Sequence, residues 1–239
     1  MLTFPILMYH KVQAIPPAHG YLCNYVLPAQ FDGQMSALAA WGFTPITLEQ
    51  WVEIRSGRQK SPKRPIAITF DDGYRSIYEN AWPVLRRLGM TASVFLVAGC
   101  IGETNRWDTS EAQEPLLNQE QIAEMNAAGV CFGSHTFTHR PLTALPEAEV
   151  LEELTHSRTA LETILGQPVT TLAYPYNKQN RWVRACARRA GYRAAVLGRG
   201  RFNARWTNPQ TLMRFAIDTQ TTIEEFECLL CRPRFATGI

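Results

Sequence analysis

The sequence predicts an α/β protein whose parallel strands close, or nearly close, into a barrel. Short β-rich runs alternate with amphipathic helical stretches along the whole chain, the pattern of parallel strands joined by crossover helices. About seven such units follow one another with no internal repeat and no long linker, which suits a barrel-like arrangement. The reactive side chains fall directly behind strand candidates, where folds of this kind gather their chemistry.

The first strand candidate, 6–9 (ILMY), is an apolar run that ends at His10. Helix candidates at 28–41 and 48–56 lead through a polar connection, SGRQKSPKRP, to a second strand at 66–70. The helix at 77–88 stops at Gly89, where a left-handed residue is cheap only for glycine. Strand 92–97 is followed by GETNRWDTSEAQEP, residues 102–115, which reads as a surface insertion beside the face that carries the motifs. Helix 118–128 stops at Gly129 and strand 130–133 follows it. Helix 146–165 stops at Gly166, before strand 171–174, and helix 181–190 stops at Gly191, before strand 194–197. Strand 212–217 and helix 222–230 complete the series.

At 239 residues the chain suits a single domain, 1–239, that buries roughly three-quarters of its unfolded surface. With 46% hydrophobic and 19% charged residues, it reads as neither disordered, fibrous nor membrane-spanning. The start, MLTFPILMYHKV, lacks a basic leader region and its apolar run breaks at Tyr9, so a cytoplasmic location is expected. The six cysteines are scattered and read as buried thiols; Cys228 and Cys231 form a lone C-x-x-C pair, weak as a zinc signal. The net charge of +3 does not argue for a nucleic-acid partner. Its distribution is uneven: 163–217 contains no acidic residue but is rich in arginine. That stretch is either a solvated helix face or a basic rim for a phosphate- or carboxylate-bearing substrate.

Two motifs carry chemistry. Asp71 and Asp72, in TFDDG, end the second strand, and adjacent carboxylates repel unless a cation or a shared proton offsets them. Taken alone, DDG is also a common turn in which one Asp caps the next helix. His135 and His139, in SHTFTH, follow the strand at 130–133, and two histidines four apart can converge on one metal. Alone, they have polar loop residues as the less favoured alternative. Together, one carboxylate and two imidazoles make a three-ligand site with positions left for water and substrate. The spare carboxylate is then free to act as a general base.

With these motifs the chain resembles the polysaccharide deacetylase family, carbohydrate esterase family 4, over most of its length. TFDDG looks like the family's first motif and HTFTH like its second. The resemblance implies a distorted (β/α) barrel, Asp71 as base, and Asp72, His135 and His139 as ligands of one divalent ion. Zinc is the default, and other divalent ions are used in the family. The third motif, R-x-P-[YF], is partly present: Pro175 and Tyr176 match, so the Tyr176 N–H is expected to hold an oxyanion. Its arginine position holds Ala173, and Arg214 is a candidate replacement. The family's last motif ends a strand in the histidine that serves as general acid. No histidine follows His156, whereas ILMYH places His10 behind the first strand. This resembles the poly-N-acetylglucosamine deacetylase branch, in which that strand is permuted to the front, and implies His10 as the acid. Tyr74, Tyr174 and Arg214 are expected at the substrate.

The implied activity is metal-dependent removal of an N-acetyl group from an amino sugar, with a metal-activated water as nucleophile. The absence of a leader favours a carrier-linked sugar, lipid- or nucleotide-borne, or a short oligosaccharide. Two other readings use the same residues: an O-acetyl sugar esterase, and a non-catalytic sugar-binding descendant of the fold, which the missing arginine would favour.

Overall fold

The computed structural model describes residues 3–15 and 22–231. Seven parallel strands form the barrel: β1 (Ile6–Tyr9), β2 (Pro65–Phe70), β3 (Ser93–Leu96), β4 (Cys131–Ser134), β5 (Thr171–Ala173), β6 (Ala194–Gly198) and β7 (Leu212–Ala216). Each pairs with its successor in the chain, and β7 closes on β1 through Phe215–Leu7 and Ala216–Met8. The ring is distorted where β4 meets β5, joined by the single register pair Ser134–Leu172.

Helices α1 (Pro28–Ala40), α2 (Leu48–Arg55), α3 (Trp82–Arg87), α4 (Gln119–Ala127), α5 (Glu147–Leu165), α6 (Arg181–Arg189) and α7 (Ile223–Cys231) fill the predicted helical stretches. Two starts are written locally as capping boxes, Thr47 with Gln50 and Asn118 with Gln121. Gly89, Gly129, Gly166 and Gly191 all take positive φ behind their helices.

The helix expected over 77–88 begins differently. Ile77–Ala81 forms a π-helical turn, in which the Trp82 N–H donates to Ile77 O, five residues back. Pro83 explains it, because it has no N–H to give and its ring crowds the carbonyl four residues earlier, so a wider turn costs less. Three short pairings lie outside the expected strands: Thr3–Phe4 with Asn203–Ala204, Lys11–Val12 with Tyr25–Val26, and Thr44–Pro45 with the start of β2.

Alternation along the strands produces two apolar layers. Leu7, Tyr9, Ile68, Phe70 and Val94 face outward against Phe31, Leu85, Met125, Leu154 and Val183 of the helices. Ile6, Ala67, Phe95, Ala173, Ala194, Val196 and Leu212 face inward, with Phe4 and Trp51 joining that interior cluster. Gly133 is small for a reason: a Cβ there would sit 2.7 Å from the Phe95 ring. The same alternation carries His10, Asp71 and Arg214 to the inner side toward the C-terminal mouth.

The arginine-rich stretch is partly neutralised from elsewhere, Arg189 by Glu147 and Arg193 by Glu53. Of the C-x-x-C pair, Cys228 is exposed, and the Cys231 side chain lies outside the described residues. No helix among the described residues is long and apolar enough to cross a membrane.

Candidate active site

β2 delivers both carboxylates, by different geometry. The Asp71 N–H donates to Tyr9 O at 2.9 Å, so Asp71 still belongs to the β1–β2 ladder and points inward. Asp72 and Gly73 then take φ of 71° and 77°. Two left-handed residues in a row break the strand alternation and bring Asp72 back over the mouth, where both carboxylates can face one cleft. Gly73 also abuts β3, since a Cβ there would lie 2.6 Å from Leu96 Cδ2.

The histidines come from the end of β4. Asp72 Oδ1 lies 3.4 Å from His135 Nε2 and 3.3 Å from His139 Nε2. All three residues are buried, and their ligand atoms fall within 4.8 Å of one another. His135 Nδ1 is 2.8 Å from the carbonyl of Ala173, which can only accept, so Nδ1 carries the proton and the Nε2 lone pair faces Asp72. His139 Nδ1 meets the Tyr176 hydroxyl at 3.2 Å. Its ring lies between Trp107, stacked at 4.7 Å, and Tyr176, edge-on at 4.8 Å. Burial lowers the His135 pKa to about 4, against the pull of Asp71, so the imidazole is neutral and ligand-ready at pH 7. Burial pushes the Asp72 carboxyl up, but its hydrogen bond to His139 and the surrounding histidines more than reverse this and keep it ionised. The donor set fits a divalent ion of borderline softness: two imidazoles, one carboxylate and a cleft on the fourth side.

Arg214 reaches the site from inside the barrel. It is fully buried, and its two terminal nitrogens each contact one Asp71 oxygen at 2.6 Å, a bidentate pair. Nη1 also donates to Thr69 Oγ1 at 3.1 Å. Burial raises the Asp71 pKa, and the Arg214 charge together with His135 turns the balance, holding the carboxyl below its usual range. Arg214 is expected both at the substrate and as the replacement for the arginine missing at position 173; its burial behind the Asp71 carboxylate fits the second place and not the first.

The cleft has a volume of about 500 Å³ and is bordered by His10, Asp71, Asp72, His135 and His139 together with Tyr74, Trp107, Glu111, Tyr176 and Asn177. His10 borders the cleft from the end of β1; its Nδ1 is buried without a hydrogen-bond partner among the described residues. Tyr74 is also buried, with its ring over Lys11 Nζ at 4.6 Å; burial first, then the charges of Asp72 and Glu111, keep its phenol protonated. Tyr174 borders the cleft, but its hydroxyl turns away and donates to Gln210 O at 3.2 Å in the outer layer, so it is not poised for substrate. Tyr176 is 49% exposed at the rim. Five non-glycine residues have positive φ among the described residues, Asp72, Thr136, His139, Tyr176 and Asn177, and all belong to this site or its ligand loop. Such strain concentrates where surrounding structure over-determines a functional geometry.

Sequence reasoning missed two contributors, the Ala173 carbonyl and the Lys11–Glu111 pair. The Ala173 carbonyl orients His135, a backbone role that no residue type advertises. Trp107, on the 102–115 insertion, packs directly on a candidate ligand. Lys11 and Glu111 form a buried ion pair at 2.6 Å that fastens the insertion beside His10, with Asn24 donating to the same carboxylate at 2.9 Å.

A closed parallel barrel with an Asp–His–His cluster and a second, arginine-held carboxylate at its C-terminal mouth defines a class, the distorted (β/α) barrels that carry a candidate metal centre at the strand ends. Within it the chain belongs to the polysaccharide deacetylase family, which matches residues 58–195. YxkH of Bacillus subtilis is 28% identical over 192 residues, covering 80% of this chain and 63% of that protein. The poly-beta-1,6-N-acetyl-D-glucosamine N-deacetylase of Staphylococcus aureus is 29% identical over 167 residues, 66% of this chain and 56% of that protein. The matches thus span less than two thirds of these relatives' length. Among solved structures, BC0361, a polysaccharide deacetylase from Bacillus cereus, superposes with a TM-score of 0.82 at 28% identity, covering 96% of this chain and 69% of that one. The deacetylase PplD of Streptococcus pyogenes, solved with acetate, shares the fold at a TM-score of 0.84 and 24% identity, covering 96% of this chain and 98% of that one.

Proposed function

We propose that the chain hydrolyses the N-acetyl group of N-acetylglucosamine units in a glycan, and that Asp72, His135 and His139 hold the divalent ion this requires, zinc by default. The observation that carries the reading is the Asp71–Arg214 pair set beside the three-ligand cluster. A carboxylate fixed at both oxygens is oriented for one task, and it retains lone pairs for a proton. A divalent ion at the cluster supplies Lewis acidity toward an acyl oxygen and lowers the pKa of water. Asp71 takes the proton from the attacking water. Because Arg214 also lowers its basicity, Asp71 is a weak base that acts through its placement. The Tyr176 N–H donates to the developing oxyanion at the rim. His10, just beyond β1 at the same cleft, protonates the departing amine.

The named relatives make β-1,6-linked N-acetylglucosamine oligomers the first substrate to test. A carrier-linked amino sugar remains the second candidate, with Lys178 and those arginines of 163–217 that form no ion pair among the described residues as its phosphate contacts. The non-catalytic reading loses its main support, since Arg214 provides the guanidinium that the third motif lacks. The test is acetate release from such oligomers with zinc added, comparing wild type with Asp71→Asn. Release by wild type alone supports the reading; equal release by both overturns Asp71 as base. Faster release from O-acetyl sugars would move the assignment to an esterase.

A further inference from the structure

We infer that Glu153, on α5, is a positioning residue that holds the 136–139 loop in the conformation able to present His139 to a metal. The inference rests on the metal reading above. It starts from the backbone: Thr136 and His139 take φ of 69° and 64°, unfavourable for a β-branched residue above all, so the loop does not adopt this shape by itself.

Two elements grip it from opposite sides. At the end of β3, the Ala98 and Gly99 N–H groups donate to Thr136 O at 3.1 Å and Phe137 O at 2.8 Å, which fixes the carbonyls. From α5, Glu153 Oε2 accepts the N–H groups of Phe137 at 3.0 Å and Thr138 at 2.9 Å, and Oε1 accepts the Thr138 hydroxyl. The side chain is buried and forms no ion pair among the described residues; its helix neighbours pair elsewhere, Glu149 with Arg140 and Arg158 with Glu162. The loop's three donors are therefore what offsets the buried charge, and that charge strengthens each bond. Within the loop, the Thr136 hydroxyl accepts the His139 N–H at 3.1 Å, passing the constraint to the ligand. A glutamate 14 positions beyond a histidine carries no sequence signal, because only the return of α5 brings the two together.

Glu153→Ala and Glu153→Gln separate this role from ordinary stabilisation. Zinc and cobalt(II) affinities would be measured by calorimetry, the cobalt coordination geometry by visible absorption, and amide exchange at Phe137 and Thr138 without metal. Removing the carboxylate should weaken metal binding about 10- to 100-fold, the usual range for groups that orient a ligand. It should also alter the cobalt spectrum and accelerate exchange at the two amides at least tenfold relative to α5. Gln, which keeps one acceptor oxygen, should fall between. An Ala variant that melts earlier yet binds both metals like wild type, with both amides still protected, overturns the inference and leaves Glu153 a stabilising residue only. Wild-type protein that binds neither metal sinks the functional reading instead; the metal-free exchange data then decide whether Glu153 holds the loop.

Discussion

At the residue scale, the site divides into groups that act and groups that aim them. Asp71→Asn preserves shape but removes the proton acceptor, so turnover should fall by about three orders of magnitude while zinc binding, measured by calorimetry, stays near wild type. Arg214→Met should be worse for the fold than for any single step. It strands a buried carboxylate, and an uncompensated buried charge costs about 3–5 kcal/mol, read as a lowered denaturant midpoint. Arg214→Lys keeps the charge but not the fork, and should retain more stability than activity. The pH dependence of the metal-free protein follows from His135. Its folded pKa is depressed to about 4 by burial, so the unfolded chain binds the proton more readily. Stability should therefore be full above the unfolded value and decline as pH falls toward the folded one. Melting of the metal-free protein at pH 7 and 5 checks this, and His135→Ala should flatten the difference.

At the element scale, loops decide what the strands can only offer. The 102–115 insertion is fastened by Lys11, whose ammonium lies between the rings of Tyr25 and Tyr74 and against Glu111. Through this clasp the insertion carries Trp107 onto His139. Lys11→Met removes the cation from a buried ion pair, should cost about 3–5 kcal/mol, and should loosen the insertion. Limited proteolysis near 102–115, faster in the variant than in wild type, is the expected readout. Gly73→Ala tests the turn behind Asp72. Its positive φ and the 2.6 Å approach to Leu96 both oppose a side chain, so activity should drop sharply even where the protein folds. These elements were unequally legible. Alternating apolar runs and glycine stops revealed the strands and helices to within a few residues, because periodicity and capping are local. The π-turn at 77–81 and the three short strand pairs were not, because each depends on a partner distant in sequence or on a proline's missing donor.

At the scale of the whole molecule, barrel closure gathers the chemistry. β1 is the first barrel strand in the chain, yet it lies between β2 and β7, so His10 from the N-terminal part borders the same cleft as Asp71, which Arg214 from the C-terminal part holds. Metal should couple to the fold as a whole: an ion bound only by the native state raises stability in proportion to the logarithm of its concentration over its Kd. Melting temperature should rise with added zinc, fall with chelator, and lose this response in His139→Ala. The alternation of elements announced the fold class, since period-2 and period-3.6 patterns are properties of the chain itself. The paired motifs announced the candidate ligands and base, since the residue types and their place behind strands carry that chemistry. Tertiary structure decided what surrounds and holds them. Ala173 through its carbonyl, Arg214 from β7, two strands round the barrel from Asp71, Glu153 from a returning helix and Trp107 from an insertion act by position. Position across a closed barrel is set by strand register and left-handed turns that no linear spacing encodes.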